Sequence, residues 1–350
     1  ERIGAIDAWL ARLQERKRFN GGVLIACDGE PLLMRAYGHA DPKGTRDLTV
    51  GTPFRLASVS KQFTAAGVLT LVRDGLLELD TDVTDVLPGL PYAGVTVRHL
   101  LNQTSGIPDI YAKLASRDKR ALGKRLTIAD VPRLLEKHAR RPKARPGARY
   151  EYSNTDYVLL AAVVEAVSEE SFEAFLARTL FGPLGMGHSR VWNLVSSDSF
   201  PERALDQVRL PGFGAYVLDP LWFDGVAGDG AVFSSLEDLL TWERVWREPA
   251  LLPAELVEQC FRGPTLADGQ TSDYGFGWAL LGDKQWHNGA WLGARTYVSR
   301  VPAAGLWLVV LDSSMNSRVD AIVARLEAQA RLLCRRSQTA CQAGGLSGRQ

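Results

Sequence analysis

The chain has 350 residues, 46% of them apolar, and a formal net charge of +1. That is enough apolar content for one large core or two modest ones. The balanced charge argues against a nucleic-acid partner or an anionic membrane surface. No apolar run approaches the roughly 18 residues of a transmembrane helix; the nearest, Y-V-L-L-A-A-V-V-E-A-V from Tyr157, is short and contains Glu165. Residue 1 is Glu, which fits a processed N-terminus.

In chain order, Ile3, Ile6, Trp9, Leu10 and Leu13 make a helical stripe over residues 3–14. Two apolar runs follow, G-V-L-I-A-C from Gly22 and P-L-L-M-R-A-Y-G from Pro31. Asp28-Gly29 between them is a hairpin signal. From Pro53 to about residue 200 the pattern is mainly helical. The helix after Ser58, Q-F-T-A-A-G-V-L-T-L-V, is apolar nearly all round and should be buried, with Asp74-Gly75 as its C-terminal stop. The basic stretch R-R-P-K-A-R-P-G-A-R at 140–149 reads as a solvated loop kept open by prolines. Near the far end, F-G-W-A-L-L, R-T-Y-V-S-R-V and L-W-L-V-V-L read as strands, the last two split by P-A-A-G at 302–305. Val319, Ile322, Val323, Leu326 and Leu333 then form a second helical stripe.

Both ends therefore supply strands and a helix. The expected fold class is α/β (α+β), with one antiparallel sheet flanked by the N- and C-terminal helices and an inserted, mainly helical region. The expected division is 1–52 with 205–335, then 53–204, with 336–350 as a flexible tail. A cleft between the two regions is the natural place for a site.

Cysteines stand at 27, 260, 334 and 341, with no C-x-x-C pair. Cys27, in an apolar strand, is expected as a buried free thiol. Cys334 and Cys341 could bridge locally in an oxidising compartment. His39, His99, His138, His188 and His287 show no metal-ligand spacing, so neither a metal nor another cofactor is expected.

Three short stretches carry chemistry. In A-S-V-S-K, Ser58 and Lys61 are one helical turn apart, whereas Ser60 points elsewhere. A serine at a helix start has an N–H unused by the helix and a favourable dipole. It becomes a strong nucleophile when a base takes its proton, and a desolvated lysine can be that base. In Y-S-N, Tyr152 and Asn154 share one side of an extended segment and Ser153 points away. The tyrosine can shuttle a proton, and the asparagine amide can hold a substrate carbonyl and orient a lysine. In H-N-G, His287 lies on the same face as Gly289, whose missing side chain leaves room for a ligand's backbone. Each stretch alone is compatible with an accidental serine–lysine spacing, a core tyrosine or a satisfied strand histidine. Their joint occurrence, in this order, is not.

Together they resemble the serine β-lactamase and penicillin-binding-protein superfamily, in the class C-like branch that includes D-alanyl-D-alanine carboxypeptidases, D-aminopeptidases and family VIII esterases. The resemblance spans about residues 20–315 and includes F-R-L-A-S-V-S-K-Q-F-T-A, L-L-N-Q-T-S-G-I-P-D, Y-E-Y-S-N-T-D-Y-V-L-L, F-G-P-L-G-M and G-D-G-A-V-F-S-S-L-E-D-L. It implies that Ser58 becomes acylated, that Lys61 and Tyr152 form the base system, and that Asn154 positions Lys61 and the substrate amide. It further implies an oxyanion hole made by the N–H groups of Ser58 and Ala290. Its partners would be small ester, peptide or amide substrates, and the branch suggests an extracytoplasmic location.

Two positions depart from the pattern. His287 stands where β-lactamases place lysine, so weak β-lactamase activity is expected. If its charge binds a substrate carboxylate, KM should rise between about pH 6 and 8. Gln103 replaces a usual histidine and should affect loop packing. Trp222, Phe223, Trp291 and Tyr274 could wall a pocket or belong to the core. No G-x-S-x-G occurs, which disfavours an α/β-hydrolase. An esterase and a D-specific peptidase fit equally well; a β-lactamase and a catalytically silent penicillin-recognising protein are the alternatives.

Overall fold

The computed structural model describes residues 2–109, 113, 125–138, 141–196, 198–210, 212–218, 220–222, 224–248 and 250–345. Helix α1 (Arg2–Glu15) leads into strands β1 (Gly21–Cys27) and β2 (Glu30–Tyr37). Asp28 and Gly29 both have positive φ, 51° and 84°, as a two-residue hairpin turn matched to strand twist requires. Helices α2 (Lys61–Arg73), α3 (Asn154–Ser168) and α4 (Leu236–Arg247) come next, then strands β3 (Ala279–Leu281), β4 (Lys284–Trp291), β5 (Ala294–Val301) and β6 (Leu306–Asp312), and finally α5 (Val319–Gly345). The six strands form one antiparallel sheet in the order β2-β1-β6-β5-β4-β3. Both chain ends thus contribute to a single sheet, as the sequence leads one to expect.

Period-two alternation divides that sheet into two faces. Val23, Ile25, Leu308 and Val310 point outward and pack with Ile6 and Leu10 of α1 and Ile322, Val323 and Leu326 of α5. Leu24, Ala26, Val309 and Leu311 point inward and share one apolar core with α2, α3 and α4. The inner face of the sheet and the helical segment are therefore joined by continuous packing. A small sheet adds to this: Phe54–Arg55 pairs with Val232–Ser234, which also pairs with Arg190–Val191.

The all-round apolar pattern of α2 is explained by its place. Every residue from Lys61 to Leu71 is buried, and Gly75 follows the helix at φ 71°. Residues 141–149 of the basic stretch form a loop in which Lys143 and Arg149 both pair with Glu151; Arg140 lies outside the described residues.

Three expectations need correction. Cys27 is not a free thiol, nor does Cys334 bridge to Cys341: Cys27 and Cys334 form a disulfide with Cα atoms 5.3 Å apart. Cys27 is in phase with Val23 and Ile25, and Cys334 continues the buried stripe of α5, so both sulfurs meet on the outer face. Cys260 is a free, buried thiol, and burial pushes its pKa up. Second, F-G-W-A-L-L is strand only over Ala279–Leu281, because Gly277, at φ 78°, passes directly against the Lys61 carbonyl at the start of α2. Third, residues 336–345, expected as a tail, continue α5 as helix. Among the described residues no helix is long and apolar enough to cross a membrane.

Candidate active site

Ser58 sits on a single 3-10 turn, Ala57–Ser60, immediately before α2. Ala57 has φ 49°, a left-handed conformation that non-glycine residues adopt at a cost of about 1 kcal/mol and that surrounding contacts must enforce. Those contacts are present. The Leu56 N–H donates to the Val232 carbonyl (2.9 Å), and the Leu56 carbonyl accepts from the Thr296 hydroxyl (2.7 Å) and the Val59 N–H (3.2 Å). The Val232 N–H donates to the Ser60 hydroxyl (3.1 Å). Ser60 is thus a fastener of the turn, turned away from Ser58 as its spacing dictates.

β3 pairs only with residues 284–286 of β4, so on that side His287–Trp291 has no strand partner among the described residues and faces the Ser58 turn. Gly289 makes that approach feasible. A Cβ there would lie 2.3 Å from the Leu56 carbonyl oxygen and 2.4 Å from the Thr296 hydroxyl. Its bareness serves the packing of strand on turn.

Lys61 is fully buried. Its Nζ donates to the Ser58 hydroxyl (3.2 Å), the Asn154 Oδ1 (2.9 Å) and the Asp229 carbonyl (3.0 Å). Three acceptors thus surround this one nitrogen. The Tyr152 ring lies over the same nitrogen, 4.8 Å from its centroid. Tyr152 and Asn154 converge because Ser153, between them, is extended (φ −139°, ψ 118°) and turns its hydroxyl inward to cap α3, accepting from the Asp156 N–H at 3.2 Å. The structure thereby brings together Ser58, Lys61, Tyr152 and Asn154, drawn from two distant stretches of chain.

Sequence reasoning missed what orients Asn154. Asp109 accepts from the Asn154 Nδ2 (3.3 Å), the Thr155 N–H (3.0 Å) and the Thr155 hydroxyl (3.1 Å). A carboxylate on the amide nitrogen directs the amide oxygen to Lys61. The signal was present in T-S-G-I-P-D, but nothing local connects that aspartate to residue 154. Behind it, Ser105 donates to Asp156 (2.7 Å), whose buried carboxyl is raised well above the ordinary range by desolvation.

His287 differs from expectation. It is buried, and its ring faces inward. Nδ1 is 2.7 Å from the Asn288 carbonyl, which can only accept, so Nδ1 carries the proton. Nε2 then accepts from the Tyr274 hydroxyl at 3.1 Å. Burial first, and the Lys61 charge second, push the imidazole down to about 3. A neutral ring with both nitrogens occupied cannot bind a substrate carboxylate by charge, and the expected rise of KM between pH 6 and 8 loses its basis. Tyr274 is core, not wall. Gln103 lies beside it and acts on the loop, as expected: its Oε1 accepts the Ser153 N–H and its carbonyl the Glu151 N–H.

A cleft of about 100 Å³ opens at Ser58. Its lining includes Asn154, Ala290, Arg55, Asp224 and Trp291. Trp291 is a wall, its indole N–H donating to Asp224 at 2.8 Å. Trp222 packs half-buried against the core, and Phe223 lies outside the described residues. The Arg55 guanidinium is engaged by Asp206 at 2.7 Å, with both side chains buried. Burial raises the carboxyls of Asp206 and Asp224.

Known proteins place this geometry in context. Penicillin-binding protein 4* of Bacillus subtilis (strain 168) is 35% identical over 303 residues, 82% of this chain and 66% of that protein. A D-aminopeptidase of Gluconobacter oxydans (strain 621H) is 29% identical over 302 residues, 85% of this chain and 56% of that protein. The chain thus spans less than two thirds of the length of these curated relatives. Among solved structures, a penicillin-binding protein from Bacillus halodurans superposes with a TM-score of 0.78 at 25% identity, covering 91% of this chain and 98% of that one. The family model described as Beta-lactamase matches residues 6–332, and the chain belongs to that family.

Proposed function

We propose that the protein is a metal-independent serine hydrolase that cleaves an ester or amide through an acyl-enzyme on Ser58. The observation that carries this reading is the placement of the buried Lys61 Nζ between Ser58 Oγ (3.2 Å) and Asn154 Oδ1 (2.9 Å), with Tyr152 above it. Ser58 Oγ attacks the carbonyl carbon, and its proton passes to the Lys61–Tyr152 pair. The N–H groups of Ser58 and Ala290 receive the charge that develops on the carbonyl oxygen; losing one donor of that kind lowers rate by roughly 10²–10³. The pair returns the proton to the leaving group, and water hydrolyses the ester on Ser58 by the same route in reverse. Asn154 holds the substrate amide while Asp109 fixes the asparagine.

The charge lining the cleft bears on substrate. Arg55 is engaged by Asp206, His287 is neutral, and Asp224 presents a carboxyl beside Trp291. This favours acyl groups that are neutral or bear an amine over those that bear a carboxylate. A D-aminoacyl amide or peptide fits, in keeping with the D-aminopeptidase relative, and a simple ester fits as well. The Cys27–Cys334 disulfide supports an extracytoplasmic location, since such bridges persist in oxidising compartments.

The test is hydrolysis of p-nitrophenyl acetate and of D-alanine p-nitroanilide by the wild type and by Ser58→Ala. Turnover that vanishes with Ser58 is expected. Equal behaviour of the two proteins overturns the reading. In that event a labelled penicillin retained by the wild type would point to a silent penicillin-binding protein instead.

A further inference from the structure

Behind the cleft lies a polar chain that the mechanism above does not use. The Ser153 N–H donates to Gln103 Oε1. The Gln103 amide nitrogen faces the Tyr274 hydroxyl at 3.5 Å, the weakest link. The Tyr274 hydroxyl donates to His287 Nε2 (3.1 Å), and His287 Nδ1–H donates to the Asn288 carbonyl (2.7 Å). Each link pairs a donor with an acceptor, and the sense runs one way from α3 to β4. Ser153, Gln103, Tyr274 and His287 are all at least 96% buried, with exposures of 1%, 0%, 2% and 4%. Buried polar groups are expensive unless they meet one another, and a series linked in this way favours a single arrangement.

Its two ends matter. At one end is the peptide linking Tyr152 to Ser153, and next to that comes Asn154. At the other is Asn288, two residues before Ala290. Gln103 is itself held in place, its carbonyl accepting from the Glu151 N–H (3.0 Å) and its backbone at φ 58°. An apolar side chain would pack here without the desolvation cost. The polar series does what packing cannot: it fixes the register of the Tyr152 segment against the edge of β4.

We infer that Gln103 and Tyr274 are positioning residues, which set Tyr152 and Asn154 against the Ala290 edge through His287 held as the neutral Nδ1–H tautomer. This rests on the hydrolase reading for its kinetic consequence but not for its structural one. The charged and titratable groups that face His287 are Lys61 of α2, Tyr152 before α3 and Tyr274 before β3.

The experiment compares wild type, Gln103→Met, Tyr274→Phe and the double variant, using p-nitrophenyl acetate kinetics and nitrogen-15 NMR of the His287 ring between pH 5 and 8. Each single substitution should lower kcat by about 10–10²-fold, the range for a small misplacement of catalytic groups, with KM within about threefold. The double variant should be no slower than the slower single one, because both break one series. The wild-type ring should show Nδ1–H alone across the range, and Tyr274→Phe should show mixed tautomers. Multiplying losses in the double variant, single variants with wild-type kcat, or a wild-type ring that is cationic or Nε2–H at pH 7 would each overturn the inference. If the wild type fails to turn over the ester, the hydrolase reading falls, and the ring spectra alone decide the positioning role. If one variant fails to fold, the other single variant and the wild-type ring decide it.

Discussion

The two faces of the six-stranded sheet are built by one alternation and put to opposite uses. The outer face is mainly apolar, closed by α1 and α5, cross-linked by Cys27–Cys334, and tied at its margins by Glu327 of α5 to Tyr297, Ser299 and Lys284 and by Asp7 of α1 to Tyr37. The inner face packs on α2, α3 and α4, and at its β4 edge apolar packing gives way to polar groups that meet one another at defined atoms. Apolar burial dominates the outer face, and most of its core positions would accept another well-packed apolar set. The inner edge instead depends on single contacts: the Thr296 hydroxyl on Leu56, Gly289 on the Ser58 turn, Asp109 on Asn154. Substitutions on the outer face should therefore change stability and leave rate alone, while those at the inner edge should lower rate, and stability too where they disturb the packing of strand on turn.

Lys61→Met gives the sharpest expected contrast. It removes the group that joins Ser58 to Asn154, and kcat/KM should fall by on the order of 10⁴ or more, since residues acting as a unit fail together. Steady-state kinetics against a thermal melt checks it; a drop below tenfold would place the base elsewhere. The opposite pole is Cys27→Ser with Cys334→Ser. Opening a link across 307 residues should lower unfolding free energy by about 2–5 kcal/mol, read by denaturant titration, with kcat at 25 °C unchanged. A large loss of rate in the folded double variant would erase the distinction between the faces.

These opposite poles also differ in how well they can be read from sequence. The outer face was legible because its signals are local: the stripes of α1 and α5, the Asp28-Gly29 turn and period-two strands each declare themselves within a dozen residues. Even the disulfide was half visible, since Cys334 continues the α5 stripe, but the partner lies 307 residues away and no spacing rule reaches that far. At the inner edge, Ser58 with Lys61 and Tyr152 with Asn154 were legible because one helical turn and one extended step fix which side chains converge. Asp109 and the Asp229 carbonyl were not, because loops deliver them. For His287 the face shared with Gly289 was legible, but which way that face points was not, because it depends on a sheet register set by β5.

Gly289→Ala comes next in size. Its methyl would strike backbone of the Ser58 turn, so both quantities should move together: about 1–3 kcal/mol of stability and a rate loss of tenfold or more. A variant with normal rate would show that the turn tolerates retreat from β4.

The effect that vanishes at neutral pH concerns His287. His287 is held at about 3 in the folded state against roughly 6.5 when unfolded, so between those values the unfolded chain binds the extra proton. Stability contributed by the neutral ring is present above about pH 6.5 and declines as pH falls toward 3, by at most about 1.4 kcal/mol per unit. Denaturation midpoints from pH 7 to 4 should show His287→Gln with a shallower acid slope than the wild type. KM for a carboxylate-bearing substrate should carry no His287-dependent rise between pH 6 and 8; such a rise, abolished in His287→Gln, would mean that the ring reaches the cleft.

The most direct measurement is intact mass and peptide mapping of the protein quenched within seconds of mixing with an activated ester. The acyl mass should sit on the peptide containing Ser58 and be absent in Ser58→Ala. An adduct on another residue, or one that survives Ser58→Ala, would contradict a covalent mechanism at the turn where α2 meets the β4 edge.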